Sequence, residues 1–434
     1  MTTTTEPTGS LSTDHSRATA DGAHTHGRGG TPETSRASRP TSFDVADFTV
    51  PNGREEEWRF SPIDRLAPLF AAATDGVLTG HGVLTTVVEA PEVQVEIVDR
   101  DDARLGTAGK PGDRTSAVAW ASFPRATVVT IPQGAVASEV TSIRVEGVEG
   151  AGTHAAPLEP SATHLLVHAK ALSQAVVVID HIGHAALTET IEIVADEGAH
   201  LTVVSVHDWA EGSVHATAHR LRVGRDATVK HIAVTLGGDV VRLTPDAEFV
   251  GEGANLKMVG LYFADAGQHQ EQRLFVDHAV PNCVSRVAYK GALQGEGAHT
   301  VWVGDVLIRA AAEGTDTYEL NRNLVLSDGA RADSVPNLEI ETGLIAGAGH
   351  ASATGRFDDE QLFYLRARGI PEPDARRLVV RGFFAELIHE IGVPSVEERL
   401  IASIDRELEK SMSEIDGSSA QVEGTEVGLT AERA

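Results

Sequence analysis

The sequence predicts a mainly β fold: a core solenoid of stacked strands with helical regions before and after it. Three observations carry that reading. Strand-like runs of four to eight residues rich in Val, Ile and Leu recur between about Thr163 and Ile345, at 165–168, 176–179, 191–194, 201–206, 229–234, 256–261 and 301–308. A similar turn separates many of them: Glu197-Gly198-Ala199-His200, Arg225-Asp226-Ala227-Thr228, Glu252-Gly253-Ala254-Asn255, Glu296-Gly297-Ala298-His299 and Asp328-Gly329-Ala330-Arg331. The turn alanines are spaced by 28, 27, 44 and 32 residues, with no helical pattern between them. That is the weak repeat expected of stacked coils, the longer spacings implying insertions. An ordinary β-sandwich with accidentally similar turns is the alternative these residues leave open.

Residues 1–42 are rich in Thr, Ser, Gly, Arg and His. They hold too little apolar surface to offset the entropy of ordering, so a disordered tail is expected. A His-rich tail can bind metal, but His15, His24 and His26 are scattered. Residues 43–159 predict a helical and mixed region. Ser61 suits an N-cap and Pro62 a first helical turn, with Trp58 and Phe60 anchoring the piece to the body. The β-type runs at 83–88 and 93–98, punctuated by Gly and Pro, predict a small α/β prelude. The solenoid core is expected over 160–355.

A C-terminal helical domain is expected over 356–412. Asp358 and Asp359 can cap a helix over 360–368, stopped by Gly369 and Pro371. Leu378, Val379, Phe383, Leu387, Ile388 and Ile391 then recur at helical spacing up to Gly392 and Pro394. Ser395 and Glu398 form a capping box for a third helix. Residues 413–434 predict an acidic disordered tail.

Composition narrows the function. A formal charge of −27 repels nucleic acid and anionic lipid, so neither is an expected partner. The acidity serves solubility, or docking on a basic partner. With 41% hydrophobic but only 5% aromatic residues, a core of Val, Ile, Leu and Ala is expected rather than an aromatic pocket. The single cysteine, Cys283, excludes an intramolecular disulfide. The N-terminus lacks a basic-then-apolar signal pattern, and no apolar run approaches the roughly 18 residues of a membrane span. A cytoplasmic protein is expected.

Several catalytic signatures are missing. Gly109-Lys110 is followed by Pro111, so ATP binding through a P-loop is not expected. His389-Glu390 has Val393 where a zinc-protease motif needs its second His. There is no C-x-x-C, so this chain alone should not ligate a cluster through its own cysteines. No G-x-S-x-G elbow occurs. Among nineteen histidines, His164 and His168 would share a strand face, whereas His181 and His184 would not. His200, His207, His215, His219 and His231 are scattered over successive coils, where structural or exposed roles are the default. His350 differs. Small residues crowd both sides of it over 343–355, so the backbone can approach another chain and leave the imidazole exposed. Imidazole suits iron and zinc, although these residues alone also allow a structural role.

The strings Asn321-Arg322-Asn323-Leu324-Val325-Leu326-Ser327 and Pro336-Asn337-Leu338-Glu339-Ile340-Glu341, then His350-Ala351-Ser352-Ala353-Thr354-Gly355, then Leu362-Phe363-Tyr364-Leu365-Arg366-Ala367-Arg368-Gly369-Ile370, resemble the core signature of the SufB/SufD family. Arg54-Glu55-Glu56-Glu57-Trp58-Arg59 resembles its N-terminal element, and His278, Ser285 and Lys290-Gly291 its middle. The likeness spans roughly residues 50–405. The SufD branch fits better than the SufB branch, which carries a functional cysteine. Ala348 stands where many members have a cysteine two residues before the histidine, and Gly347 where a lysine is common.

The resemblance implies a right-handed parallel β-helix in a non-catalytic scaffold subunit of the SUF iron–sulfur cluster assembly machinery. It implies pairing with SufB and docking of SufC, an ABC-type ATPase, on the C-terminal helices. It makes His350 the ligand for iron or a nascent iron–sulfur cluster, held transiently and shared with SufB. Phe363, Tyr364, Leu378, Phe383, Phe384 and Leu387 become the candidate partner surface. Val380 and Phe384 widen the stripe of their helix beyond one buried face, which suits either a partner or burial on two sides by the chain itself. The rival readings are a SufB-like scaffold that holds the cluster unaided and a β-helix carbohydrate-active enzyme.

Overall fold

The computed structural model describes residues 38–71, 78, 83–148, 158–357, 359–394 and 396–408. The tails expected at 1–42 and 413–434 lie outside these except for 38–42, as do Asp358 and the capping residue Ser395. Residues 39–42 are tied down: Arg39 pairs with Asp246 at 2.9 Å and the Ser42 amide donates to the Pro111 carbonyl at 3.0 Å.

The first part of the chain gives helix α1 (Ile63–Leu66), strands β1 (Val83–Val88) and β2 (Gln94–Asp99), helix α2 (Arg114–Ser122), and strands β3 (Arg125–Ile131) and β4 (Thr141–Gly147). Strands of mostly ten residues follow: β5 (Pro160–Ala169), β6 (Gln174–Gly183), β7 (Ala186–Ala195), β8 (His200–Trp209), β9 (Val214–Val223), β10 (Thr228–Thr235) and β11 (Val240–Phe249). Next come β12 (Asn255–Ala264), β13 (His269–His278), β14 (Val284–Leu293), β15 (His299–Ile308), β16 (Asp316–Val325), β17 (Arg331–Ile340) and β18 (Gly347–Arg356). Helices α3 (Asp359–Ala367) and α4 (Glu372–Ile391) follow, then a helix over 396–408, α5.

From β4 on, even-numbered strands stack with β1 into one nine-stranded sheet, and from β3 on, odd-numbered strands stack with β2 into another. From β3 and β4 onward every ladder is parallel, as a β-solenoid of about seven turns requires. The stacking begins before residue 160, and β1 and β2 close its start as antiparallel partners of β4 and β3. This strand-after-strand alternation between two parallel sheets excludes the β-sandwich.

The register explains the repeating turn and corrects its arithmetic. Gln174, His200, Thr228, Asn255, Val284, Asp316 and Gly347 form one ladder column. Ala199, Ala227 and Ala254 precede members of that column, and the next corner is Cys283 rather than Ala298. Ala298 and Ala330 belong to the opposite corner, entering β15 and β17. The 44-residue gap is therefore a change of corner and no insertion. The residue before each first-corner position is left-handed, with φ of 64° at Gly198, 52° at Asp226, 74° at Gly253 and 60° at Asn282. Gly, Asp and Asn tolerate that conformation.

Alternate residues of each strand point inward to one continuous apolar core, including Val177, Ile191, Val203 and Val229. The outer faces are covered too. Val204, Ile232, Val259 and Leu261 of the first sheet meet Val380, Phe384 and Ile388 of α4 and Leu400 and Ile404 of α5. The second sheet is covered by α2 and the N-terminal segment, where Trp58 packs with Leu66, Leu69 and Phe70 on Ala186, Ala216 and Val240. Trp58 is the anchor expected of it, with Arg242 stacked 3.9 Å from its ring, whereas Phe60 stays half-exposed. Pro62, not Ser61, is the N-cap of α1. The Ser61 hydroxyl instead donates to Glu271 at 2.6 Å, stitching the segment to the solenoid wall.

Candidate functional site

The solenoid ends on two open edges, β17 and β18, the last strands of their sheets. A free edge leaves backbone donors and acceptors unpaired and is a template for another chain. His350 lies on β18 and is exposed, with Gly349 and Ala351 on either side. Its Cα partner on β16 is Glu319, and register partners on parallel strands share a face. The structure thus sets His350 at the exposed end of an inward-facing column.

Glu319, which the sequence did not single out, is 1% exposed, and neither carboxylate oxygen has a hydrogen-bond partner. Burial, then the charge of Asp305, pushes its pKa up to about 8. Tyr289 Oη and Trp302 Nε1 are also buried without partners. Nearby, Gly260 and Gly291 make room for aromatic rings: a Cβ would come 1.8 Å from Tyr289 and 1.9 Å from Tyr262, respectively. A polar network braces the same end. Tyr262 Oη donates to Asn323 Oδ1 at 2.7 Å, Asn321 Nδ2 donates to Tyr262 Oη at 2.8 Å, and Ser334 Oγ donates to Asn321 Oδ1 at 2.7 Å. Asn321 and Asn323, the two asparagines of the family-like string on β16, form this buried brace, which links β12, β16 and β17.

The six candidate partner residues separate. Phe363, Tyr364 and Leu378 are 74%, 57% and 49% exposed, an apolar surface on α3 and α4. Phe383 is partly buried, against the core under α4. Phe384 and Leu387, expected at a partner surface, are buried in the chain's own core. The wide stripe of α4 is therefore shared: one side covers the sheet and the other offers Leu378 to solvent. Lys290 fastens α4 by donating to Glu386 at 2.9 Å and to the Phe383 carbonyl at 3.0 Å.

Of the histidines scattered in sequence, His200 is exposed, while the other four gather with His181 inside the solenoid. His181, His207, His215, His219 and His231 are fully buried inward residues near Glu189. Among the described residues, His181, Glu189 and His215 are the one set of three or more His, Cys, Asp or Glu side chains whose ligand atoms lie close enough to hold a metal ion together. Their protons argue for another role. His181 Nδ1 donates to the Val206 carbonyl at 3.0 Å, while its Nε2 lies 2.9 Å from Glu189 Oε2. Trp209 donates to His215 Nδ1 at 2.9 Å, so a neutral His215 carries its proton on Nε2, 3.4 Å from the same carboxylate oxygen. Thr217 and Thr163 donate to the Glu189 oxygens at 3.0 and 3.1 Å. Burial opposes ionisation of Glu189, but His181 and His215 outweigh it and hold its pKa well below the usual range. Both Glu189 oxygens are thus engaged by the chain's own side chains. His164 and His168 share the outer face of β5 as expected, on Glu192 at 2.8 Å and Asp196 at 3.0 Å.

A family model described as "SUF system FeS cluster assembly, SufBD core domain" matches residues 152–383. The chain belongs to the SufBD family. It is 56% identical over 376 residues to an iron–sulfur cluster assembly SufBD family protein of Mycobacterium tuberculosis, covering 85% of this chain and 92% of that protein. A Mycobacterium leprae member is 53% identical over 375 residues, covering 85% and 93%. The Escherichia coli iron–sulfur cluster assembly protein SufD is 30% identical over 219 residues, about half of each chain. Membership places this SufBD chain in the SUF system. Among its described residues no helix is long and apolar enough to cross a membrane.

Proposed function

We propose that this SufBD chain is a cytoplasmic, non-catalytic scaffold of the SufD type. It pairs with a cysteine-bearing SufB-type subunit, docks the SufC ATPase through its C-terminal helices, and helps iron enter a nascent cluster at the shared interface. The observation that carries the reading is His350, an exposed imidazole on the last strand of an open solenoid edge, in a chain of this family. An edge strand can extend its sheet into a partner through main-chain hydrogen bonds. That would bring the partner's thiolate chemistry to the imidazole. Iron or the growing cluster is cargo here, shared with the partner. Phe363, Tyr364 and Leu378 are the residues we assign to the ATPase contact.

The buried Cys283 favours this reading over a scaffold that holds a cluster alone. Its thiol lies in a solenoid corner, 3.4 Å from the Gly251 carbonyl, and burial pushes its pKa up. A reactive thiol is usually accessible and held as thiolate.

The test is co-expression with the SufB-type and SufC partners and anaerobic reconstitution of the complex. His350→Ala should leave complex recovery intact while the visible absorption of the assembled cluster falls severalfold. Normal cluster yield from that variant, or failure of the wild-type chain to recover either partner, overturns the reading.

A further inference from the structure

On the outer face of the second sheet two imidazoles confront one another. His269 and His299 are ladder partners on β13 and β15, and their Nδ1 atoms are 3.2 Å apart. The far nitrogen of each ring is on a carboxylate: His269 Nε2 is 3.2 Å from Glu271 Oε2, and His299 Nε2 is 2.7 Å from Asp333 Oδ2. A carboxylate only accepts, so each Nε2 carries its ring's proton and each neutral ring turns a bare Nδ1 lone pair toward the other. Two lone pairs at that distance repel unless a cation lies between them.

The surroundings are those of metal-binding histidines, whose second nitrogen is characteristically fixed by a carboxylate. Those carboxylates are themselves fixed. Ser61 donates to Glu271 at 2.6 Å, and Arg331 lies 2.8 Å from Asp333 Oδ2 through Nε and 3.0 Å from Oδ1 through Nη2. The separation also fits. A metal at the usual ~2.0–2.1 Å from each nitrogen would see them about 100° apart, close to a tetrahedral angle. The His269 side chain is 4% exposed, but His299 and Asp333 are 22% and 21% exposed, so the pair meets solvent on one side.

We propose that His269 and His299 bind a divalent first-row transition ion, of the Fe(II) or Zn(II) class, through their Nδ1 atoms. Solvent completes the coordination, and two protein ligands make the site exchangeable. It lies on the opposite sheet from His350 and is independent of the role proposed for that residue. Unlike the buried group around Glu189, it has two free lone pairs and an opening.

Co(II) titration of the full chain, followed by its visible d–d absorption, tests this. One equivalent should bind, with Fe(II) competing under anaerobic conditions. His299→Ala should abolish that binding, and Asp333→Asn should weaken it roughly tenfold or more. His299→Gln replaces the alanine variant if circular dichroism shows the latter misfolded. His350→Ala should bind Co(II) as the wild type does. No binding at millimolar Co(II) would leave a shared proton between the rings and overturn the proposal. Unchanged affinity in both His299 variants, or loss in His350→Ala alone, would overturn it as well.

Discussion

Glu319 is a buried carboxyl with a raised pKa and no partner for either oxygen, and that combination makes stability depend on pH. Its ordinary value is 4.5 and its value in the fold is about 8, so across that window the folded chain holds a proton that the unfolded chain has lost. Stability from this group is whole below 4.5 and drains away as pH rises toward 8, at no more than about 1.4 kcal/mol per pH unit. Glu319→Gln keeps the shape and removes the titration. Its urea midpoint should therefore fall less steeply than the wild type's between pH 5 and 8, and should exceed it at pH 8. Parallel profiles for the two proteins would show that Glu319 is ionised in the fold. The small residues around His350 stand out in the sequence, although they leave a structural role open, whereas nothing singles out Glu319. Nothing in the string Tyr318-Glu319-Leu320 marks an inward position. Only the register with β14 and β18 does, and register is set by corners whose left-handed residues vary among Gly, Asp, Asn and, at Leu172, Leu.

At the scale of elements, the sequence carried the helical spacing of α4 but not the division of its faces. Two positions in its stripe have opposite surroundings: Phe384 is fully buried and Leu378 half-exposed. Phe384→Ala should cost about 3–5 kcal/mol through the cavity it leaves, measured as a shift in denaturation midpoint. Leu378→Glu should stay within about 0.5 kcal/mol of the parent yet lower recovery of the SufC partner in a pull-down severalfold. Equal SufC recovery with Leu378→Glu would exclude that face as the docking surface. The solenoid corners show the same limit. Ala199, Ala227 and Ala254 were legible because they repeat the same small residue, while Cys283, next in the column, was hidden by its different chemistry. A corner asks for a small buried side chain after a left-handed residue, and cysteine meets that requirement as alanine does. The opposite corner admits larger residues, Asp239 and Gln268, in earlier coils, but in the last coils it too sets alanine after a left-handed glycine, Gly297 and Gly329, so that Ala298 and Ala330 resemble members of a single series.

A solenoid is stabilised coil by coil, each layer by its neighbours, so its ends are where cooperativity is weakest. The two ends of this molecule are unequal. The first is closed by antiparallel β1 and β2. At the last, β17 is partly buried along its middle, and most of β18 beyond His350 is exposed. Local opening should therefore be cheapest at the β17–β18 end, where fewest buried contacts oppose it. Hydrogen exchange on the isolated chain should show amides of 331–356 exchanging well before those of the inner coils β8 to β13. Adding the SufB-type partner should slow exchange in 331–356 and leave the inner coils unchanged. Adding SufC alone should instead protect α3 and α4. If the SufB-type subunit protected some other surface and left 331–356 fast, His350 would face solvent in the complex. The same chain would then still be a solenoid held by its lumen and its helical covers, but the exposed imidazole of His350 would lose the partner thiolate we propose for it.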